Sequence, residues 1–99
     1  MFLNSPRIDR FMQEWVYRYL KYPDSAIQEG AQGTVQVSFI IEKDGSLSNV
    51  RIARSADERL DQAALDVVNV SPKWRPARLH GKKVRSALTI PIEFRLKKK

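Results

Sequence analysis

The sequence predicts an α+β fold, a two-layer sandwich in which two helices cover one face of a three-stranded antiparallel/mixed sheet. Apolar residues recur at helical spacing over 8–20 and 60–68. They alternate with polar residues over 35–41 and 84–96, as in half-buried strands. Asp44-Gly45 follows the first of these strands and predicts a hairpin to another. The expected order is therefore helix, strand, strand, helix, strand.

The chain is long enough for one domain and too short for two. Its 99 residues include 42% hydrophobic residues and no cysteine, so a single apolar core can form without disulfides or thiolate metal sites. We expect one domain over residues 1–99, with its core at about 11–96 and a basic tail over 97–99.

The first predicted helix has a start signal and a stop signal. Ser5 can cap its N-terminus, and Pro6 suits the first helical position. Pro23 restricts the residue before it and predicts the end. The apolar stripe between them includes Trp15 and Tyr19, which we interpret as core residues.

The Asp44-Gly45 pair also predicts the register of the hairpin. A two-residue type I′ turn requires positive φ at both central residues, which Asp-Gly tolerates. Such a turn places the apolar residues of both strands on one face of the sheet. The predicted pairs are Lys43 with Ser46, Ile41 with Ser48, Phe39 with Val50 and Val37 with Ile52.

The second predicted helix follows an N-cap at Asp57 and ends at Ser71-Pro72. Its small residues Ala63 and Ala64 allow close approach to a sheet. Trp74 stands between Pro72 and Pro76 in a connection that cannot be helical, and we expect its ring to pack inward.

The last strand is predicted over Val84–Leu96, at the edge of a sheet with strand order 2-1-3. A helix of about three turns returns the chain to the start of strand two, so strand three runs parallel to strand two, and a right-handed crossover places it beside strand one. Pro91 interrupts this strand, and proline is tolerated where its missing N–H faces away from the neighbouring strand. The proline thus independently favours an edge position.

The residues give no indication of an enzyme, a cofactor site or a metal site. The single histidine, His80, is read as an exposed turn residue, and no serine has a local histidine partner. The Asp57 and Asp61 carboxylates share a helix face, but such a pair is usually the solvated side of an amphipathic helix.

The basic C-terminal third allows a nucleic-acid or polyanion binder as a less favoured alternative. Residues 73–99 carry ten Lys/Arg and one Glu, whereas residues 1–72 carry eight Lys/Arg and ten Asp/Glu. Cations interleaved with an aromatic residue can bind single strands, yet the sequence lacks a recognition helix and a paired aromatic platform. We therefore expect no nucleic-acid partner.

A strand at the edge of the sheet points to a more specific function than polyanion binding, namely peptide binding. Its unpaired N–H and C=O groups can accept an extended peptide as an additional strand, with alternate side chains giving selectivity. Edge strands also pair between two copies of one chain, so a homodimer is compatible with this prediction.

Several motifs resemble the TonB C-terminal domain family, in the style of Bacteroidetes-type sequences, over roughly residues 11–96. They are Tyr22-Pro23 before Ala26, Gly30 with Gly33-Thr34-Val35, Glu42-Lys43-Asp44-Gly45, Leu60-Asp61-Gln62-Ala63-Ala64-Leu65, Pro72-Lys73-Trp74-Arg75-Pro76-Ala77, Gly81-Lys82 and Ile90-Pro91-Ile92-Glu93-Phe94. Their order and spacing carry the resemblance.

The resemblance implies a periplasmic module of an inner-membrane-anchored, energy-transducing protein whose anchor is not in this chain. Such domains bind the TonB box of outer-membrane TonB-dependent transporters by strand addition to the last strand. Together with ExbB and ExbD they couple the proton-motive force to uptake of iron-siderophore complexes, cobalamin or glycans. The same domain is also found fused to membrane sensors, including M56-type signalling proteins, and this alternative remains open.

The resemblance also suggests which residues form the site. The peptide is expected along the edge residues Val84, Arg85, Ser86, Ala87, Leu88, Thr89 and Ile90, where Arg85 is available to meet an acidic ligand. Tyr22 and Pro23 are expected near the transporter-facing end. Enterobacterial relatives place an arginine two residues after this pair, where this chain has Ser25.

Overall fold

The computed structural model describes residues 15–96, in three helices and five strands. The helices are α1 (Tyr17–Tyr19), α2 (Asp24–Gln28) and α3 (Glu58–Asn69). The strands are β1 (Gly33–Ile41), β2 (Leu47–Arg54), β3 (Ala77–Leu79), β4 (Lys82–Val84) and β5 (Ser86–Phe94). The predicted start of the first helix at Ser5-Pro6 lies outside the described residues.

The main sheet has the predicted topology. Its strand order is β2-β1-β5, and β1 is antiparallel to both neighbours, so β5 runs in the direction of β2. The pairing of β1 with β5 is continuous from Gly33 opposite Phe94 to Ile41 opposite Ser86. The predicted order 2-1-3 and the edge position of the last long strand are confirmed.

The predicted bounds of the last strand are wrong at both ends. Val84 belongs to β4, which pairs with β3 in a separate two-stranded sheet, and β5 begins at Ser86. The hairpin was not predicted because three-residue strands are too short to show a periodicity. At the other end β5 stops at Phe94, and the N–H of Leu96 donates to Gln32 Oε1 at 2.8 Å.

The β1–β2 turn has three loop residues instead of two. The N–H of Glu42 donates to the carbonyl of Ser46 at 2.8 Å, and the N–H of Gly45 donates to the carbonyl of Glu42 at 2.9 Å. Within this loop Gly45 alone has positive φ, at 88°. This is a type I turn followed by a bulge at glycine, so the predicted type I′ turn is wrong.

The change of turn shifts the register by one residue next to the loop. Ile41 pairs with Leu47, whereas Ser48 was the predicted partner. A bulge with Asn49 at φ 50° then inserts one residue into β2 opposite Phe39. Beyond the bulge the predicted pair of Val37 with Ile52 is confirmed.

Helix α3 begins and packs as predicted. Asp57 Oδ1 accepts the N–H of Arg59 at 2.9 Å, which confirms the N-cap. Leu60 and Ala64 are buried in one cluster with alternate residues of β1 and β5. Val16 joins the same cluster, so the segment leading into α1 and helix α3 cover the same face of the sheet.

The connection after α3 is fixed by Trp74. This residue is 2% exposed and its ring packs edge-on against Phe39, with 5.4 Å between the centroids. The backbone N–H of Trp74 donates to the carbonyl of Gly45 at 2.8 Å. The prediction that Trp74 packs inward is confirmed, and its ring offers no free face for base stacking.

Candidate peptide-binding edge

The candidate site is the outer edge of β5, the side that faces away from β1. Within residues 15–96 no strand pairs with this side. The β1–β5 ladder has no register shift, so the direction of the backbone groups alternates regularly along the whole strand. One hydrogen bond is then enough to assign every position of the edge.

That bond is made by Glu93, whose N–H donates to Tyr17 Oη at 3.2 Å. The Glu93 N–H therefore points away from β1, and so do the nitrogens of Pro91, Thr89 and Ala87. The predicted outward orientation of the Pro91 nitrogen follows from this geometry. Pro91 has no N–H and that of Glu93 is engaged, so the donors offered by β5 to an incoming strand are those of Ala87 and Thr89.

The side chains of this half of β5 divide between the two faces of the sheet. Ile90 is buried in the core, and Ser86 and Leu88 are half-buried on the same face. Ala87 and Thr89 are exposed on the other face. Thr89 Oγ1 lies 2.7 Å from Ser38 Oγ in a hydrogen bond that joins β5 to β1. The predicted residues Ser86 to Ile90 thus lie together on the edge.

Arg85 adjoins this edge but is already paired. Its Nε lies 2.7 Å from Glu42 Oε1, and its Nη2 donates to Glu42 Oε2 at 3.2 Å. The Ser48 hydroxyl also donates to Glu42. These hydrogen bonds from Ser48 and Arg85 lower the pKa of the Glu42 carboxyl. Arg85 was expected to be available for an acidic ligand, but in the structure it forms a bidentate ion pair with Glu42.

Tyr22 and Pro23 lie at the opposite end of β5 from Arg85. The Tyr22 ring packs edge-on against Phe94 with 5.4 Å between centroids, and its hydroxyl donates to the carbonyl of Ala31. Burial raises the pKa of Tyr22. Pro23 precedes α2 and lines a cavity of about 370 Å³ beside α3. Both residues therefore lie towards the Phe94 end of β5, away from the donors at Ala87 and Thr89.

The second edge of the sheet, along β2, is less suited to strand addition. The β1–β2 register shifts twice, between Ser38 and Ile40 and between Gln36 and Val37. Each shift interrupts the regular spacing of backbone groups that a new strand would need. Arg51 and Arg54 are exposed along this edge. Bulges and charges of this kind are common protection against edge pairing.

Sequence reasoning missed the role of Tyr17. This residue lies outside the apolar stripe of the first helix and is 47% exposed, as a solvated position would be. Its hydroxyl contacts a residue 76 positions later in the chain. The alternation and capping signals in the sequence are local, so no pattern indicated this contact.

The described residues contain neither a metal-binding cluster nor a membrane-spanning helix. Between residues 15 and 96 no group of three or more His, Asp or Glu side chains could hold a metal ion. In the same range no helix has the length and apolar character needed to cross a bilayer.

Comparison with known proteins shows the family of this chain. The family model described as Gram-negative bacterial TonB protein C-terminal matches residues 18–96. The chain belongs to the TonB C-terminal domain family. The Bacteroidetes-type qualifier stays a prediction.

Two of the proteins similar to this chain are named Protein TonB. The Haemophilus influenzae protein is 43% identical over 79 residues, which cover 77% of this chain and 27% of that protein. The Pasteurella multocida protein is 32% identical over 82 residues, covering 82% of this chain and 31% of the relative. The chain therefore spans about a third of the length of these relatives.

Solved structures of TonB C-terminal domains share the fold. The solution structure of the Helicobacter pylori domain superposes with a TM-score of 0.72 at 27% identity, covering 97% of this chain and 87% of that one. The Pseudomonas aeruginosa domain gives a TM-score of 0.61 at 25% identity and 80% coverage of both chains.

Proposed function

We propose that this domain is the periplasmic, transporter-binding module of a TonB-type protein. In this proposal the TonB box of an outer-membrane TonB-dependent transporter adds to the outer edge of β5 as a further strand. The parent protein is anchored in the inner membrane and works with ExbB and ExbD to couple the proton-motive force to nutrient uptake. Family membership supports this proposal, and the observation on which it mainly rests is the exposed edge of β5.

The proposal specifies where the added strand pairs. The outward donors of β5 are the N–H groups of Ala87 and Thr89, whereas Pro91 has none and Glu93 is covered by Tyr17. Backbone hydrogen bonds to an incoming peptide should therefore concentrate on Ser86 to Ile90. With Arg85 held by Glu42, backbone pairing supplies the main recognition at this end.

An NMR titration of the 99-residue chain with synthetic TonB-box heptapeptides tests the proposal. We expect weak binding with the largest amide shifts at Ala87 and Thr89. Ala87→Pro removes one outward donor and leaves the pairing with β1 intact, so it should weaken binding by about five- to tenfold, the equivalent of one hydrogen bond. Ala87→Val keeps the N–H and is the matched control.

Three results would contradict this mode of binding. The first is equal affinity of the Pro and Val variants. The second is a set of shifts centred on β2 or confined to residues 73–83. The third is an absence of binding by any TonB-box peptide while the domain remains folded.

A further inference from the structure

The hairpin formed by β3 and β4 carries unpaired positive charge on a separate small sheet. Arg78, Lys82 and Lys83 are exposed, and none forms an ion pair with any other residue between 15 and 96. Arg75, which precedes the hairpin, is also exposed and without an ion pair to these residues, whereas Lys73 lies 3.8 Å from Asp44 and Arg85 is paired with Glu42. The hairpin therefore presents three exposed cations that have no acidic partner among the described residues.

The pairing within the hairpin places like charges together. Arg78 lies directly opposite Lys83 in the β3–β4 register. Like charges directly opposite each other destabilise a strand pair, and no acidic residue occurs within 77–84 to offset this repulsion. A polyanionic partner would remove the repulsion, so the arrangement favours binding to an anionic surface.

The hairpin is held in a fixed shape. His80 and Gly81 have φ of 52° and 79°, so the turn has positive φ at both central positions, as a type I′ turn requires. At the base Ala77 is 7% exposed, next to the buried Trp74 connection. Three residues per strand, at about 3.3 Å each, carry the turn roughly 10 Å outward from this base.

An apolar side chain stands at the tip among the cations. Leu79 is 59% exposed and lies directly before the turn, opposite Lys82. An apolar group surrounded by Lys and Arg suits a membrane interface, where the apolar group enters the acyl boundary and the cations meet the phosphates. Nucleic acid would require a stacking surface, and residues 77–84 contain no Phe, Tyr or Trp.

We propose that the β3–β4 hairpin docks the domain, turn first, on bilayer surfaces that contain anionic phospholipid. Leu79 reaches the headgroup boundary, and Arg78, Lys82 and Lys83 contact the lipid phosphates. This site uses no residue of the β5 edge, so membrane docking and peptide binding can be tested separately.

Vesicle sedimentation of the 99-residue chain tests the proposal. The probes are vesicles of phosphatidylcholine alone and of phosphatidylcholine mixed equally with phosphatidylglycerol. We expect binding to the mixed vesicles alone, weakening as salt increases. The double variant Arg78→Gln, Lys83→Gln should bind about 30-fold more weakly, since each cation near an anionic bilayer contributes roughly fivefold. Leu79→Asn should also weaken binding, in a way that low salt does not restore.

The matched control is Arg51→Gln, Arg54→Gln, which removes the same charge from two exposed positions on β2. It should retain most of the vesicle affinity, and all variants should keep the wild-type response to the TonB-box peptide. Equal losses in the two double variants would overturn the proposal, because net charge alone would then explain binding. Binding to neutral vesicles as well, no binding to either kind, or tighter binding to a DNA oligonucleotide would overturn it too.

Discussion

At the residue scale, Gly45 couples the β1–β2 turn to the Trp74 connection. Its φ is 88°, and a Cβ added there would lie 2.1 Å from the carbonyl oxygen of Trp74. Gly45→Ala would combine the left-handed backbone penalty with displacement of that carbonyl, and we expect a loss of about 3–4 kcal/mol in the free energy of unfolding. Urea denaturation measures this loss.

Gly81→Ala provides the comparison for that prediction. Gly81 also has positive φ, at 79°, but a Cβ there would meet nothing within 4 Å. This variant should lose only the backbone penalty, roughly 1–2 kcal/mol. Equal losses at the two glycines would show that the close approach of Trp74 to the turn contributes nothing to stability.

At the scale of elements, α1 covers one end of the β5 edge through a single hydrogen bond. Tyr17→Phe removes the hydroxyl that accepts the Glu93 N–H. We expect faster hydrogen exchange of the Glu93 amide, a stability loss of at most about 1 kcal/mol, and a peptide footprint that extends to Glu93. Amide exchange and the peptide titration, both followed by NMR, report these changes.

Tyr19→Phe is the matched variant, since Tyr19 lies in the same short helix and is 51% exposed, so its interpretation as a core residue was wrong. It should leave both the Glu93 exchange rate and the peptide footprint unchanged. If Tyr17→Phe behaves like Tyr19→Phe, the end of the edge is not covered by the tyrosine hydroxyl, and Pro91 alone limits the pairing.

The long elements could be predicted because their patterns repeat over many residues. The alternation in β1 and the stripe of α3 each contain several buried residues, whereas β3 and β4 have three residues each and no readable period. The type of the β1–β2 turn depends on contacts across the fold. The Gly45 carbonyl accepts a hydrogen bond from the backbone N–H of Trp74, 29 positions further along the chain. The sequence rules for an Asp-Gly turn do not include such a distant partner.

The candidate site could be predicted to a similar extent. Proline has no N–H, so a Pro91 nitrogen that faced β1 would leave a backbone acceptor of β1 unpaired. The outward orientation of this nitrogen could therefore be predicted. The Arg85–Glu42 pair joins two residues 43 positions apart. Their encounter follows from the β1–β5 register, which the sequence did not specify, so Arg85 was interpreted as free.

At the scale of the whole molecule, stability should depend on three carboxylates that fix turns and a helix start. Ser48 and Arg85 lower the pKa of Glu42, Ser46 lowers the pKa of Asp44, and Arg59 lowers the pKa of Asp57. Each group has a lower pKa in the folded state than in the unfolded chain. Their contribution to stability is therefore complete above the unfolded values, about 4, and is lost as the pH falls below them.

We therefore expect the urea midpoint to be level from pH 7 to about 5 and to fall steadily at lower pH. The net charge of +7 increases as carboxylates are protonated, and the added repulsion acts in the same direction. Comparing titrations at low and high salt separates the two causes, because salt screens long-range repulsion more than short hydrogen-bonded contacts. The variant Glu42→Gln, Asp57→Asn should be less stable at pH 7 and less sensitive to acid than the wild type. A midpoint that rises on acidification, or an acid response identical in the variant, would show that these carboxylates do not hold the fold together.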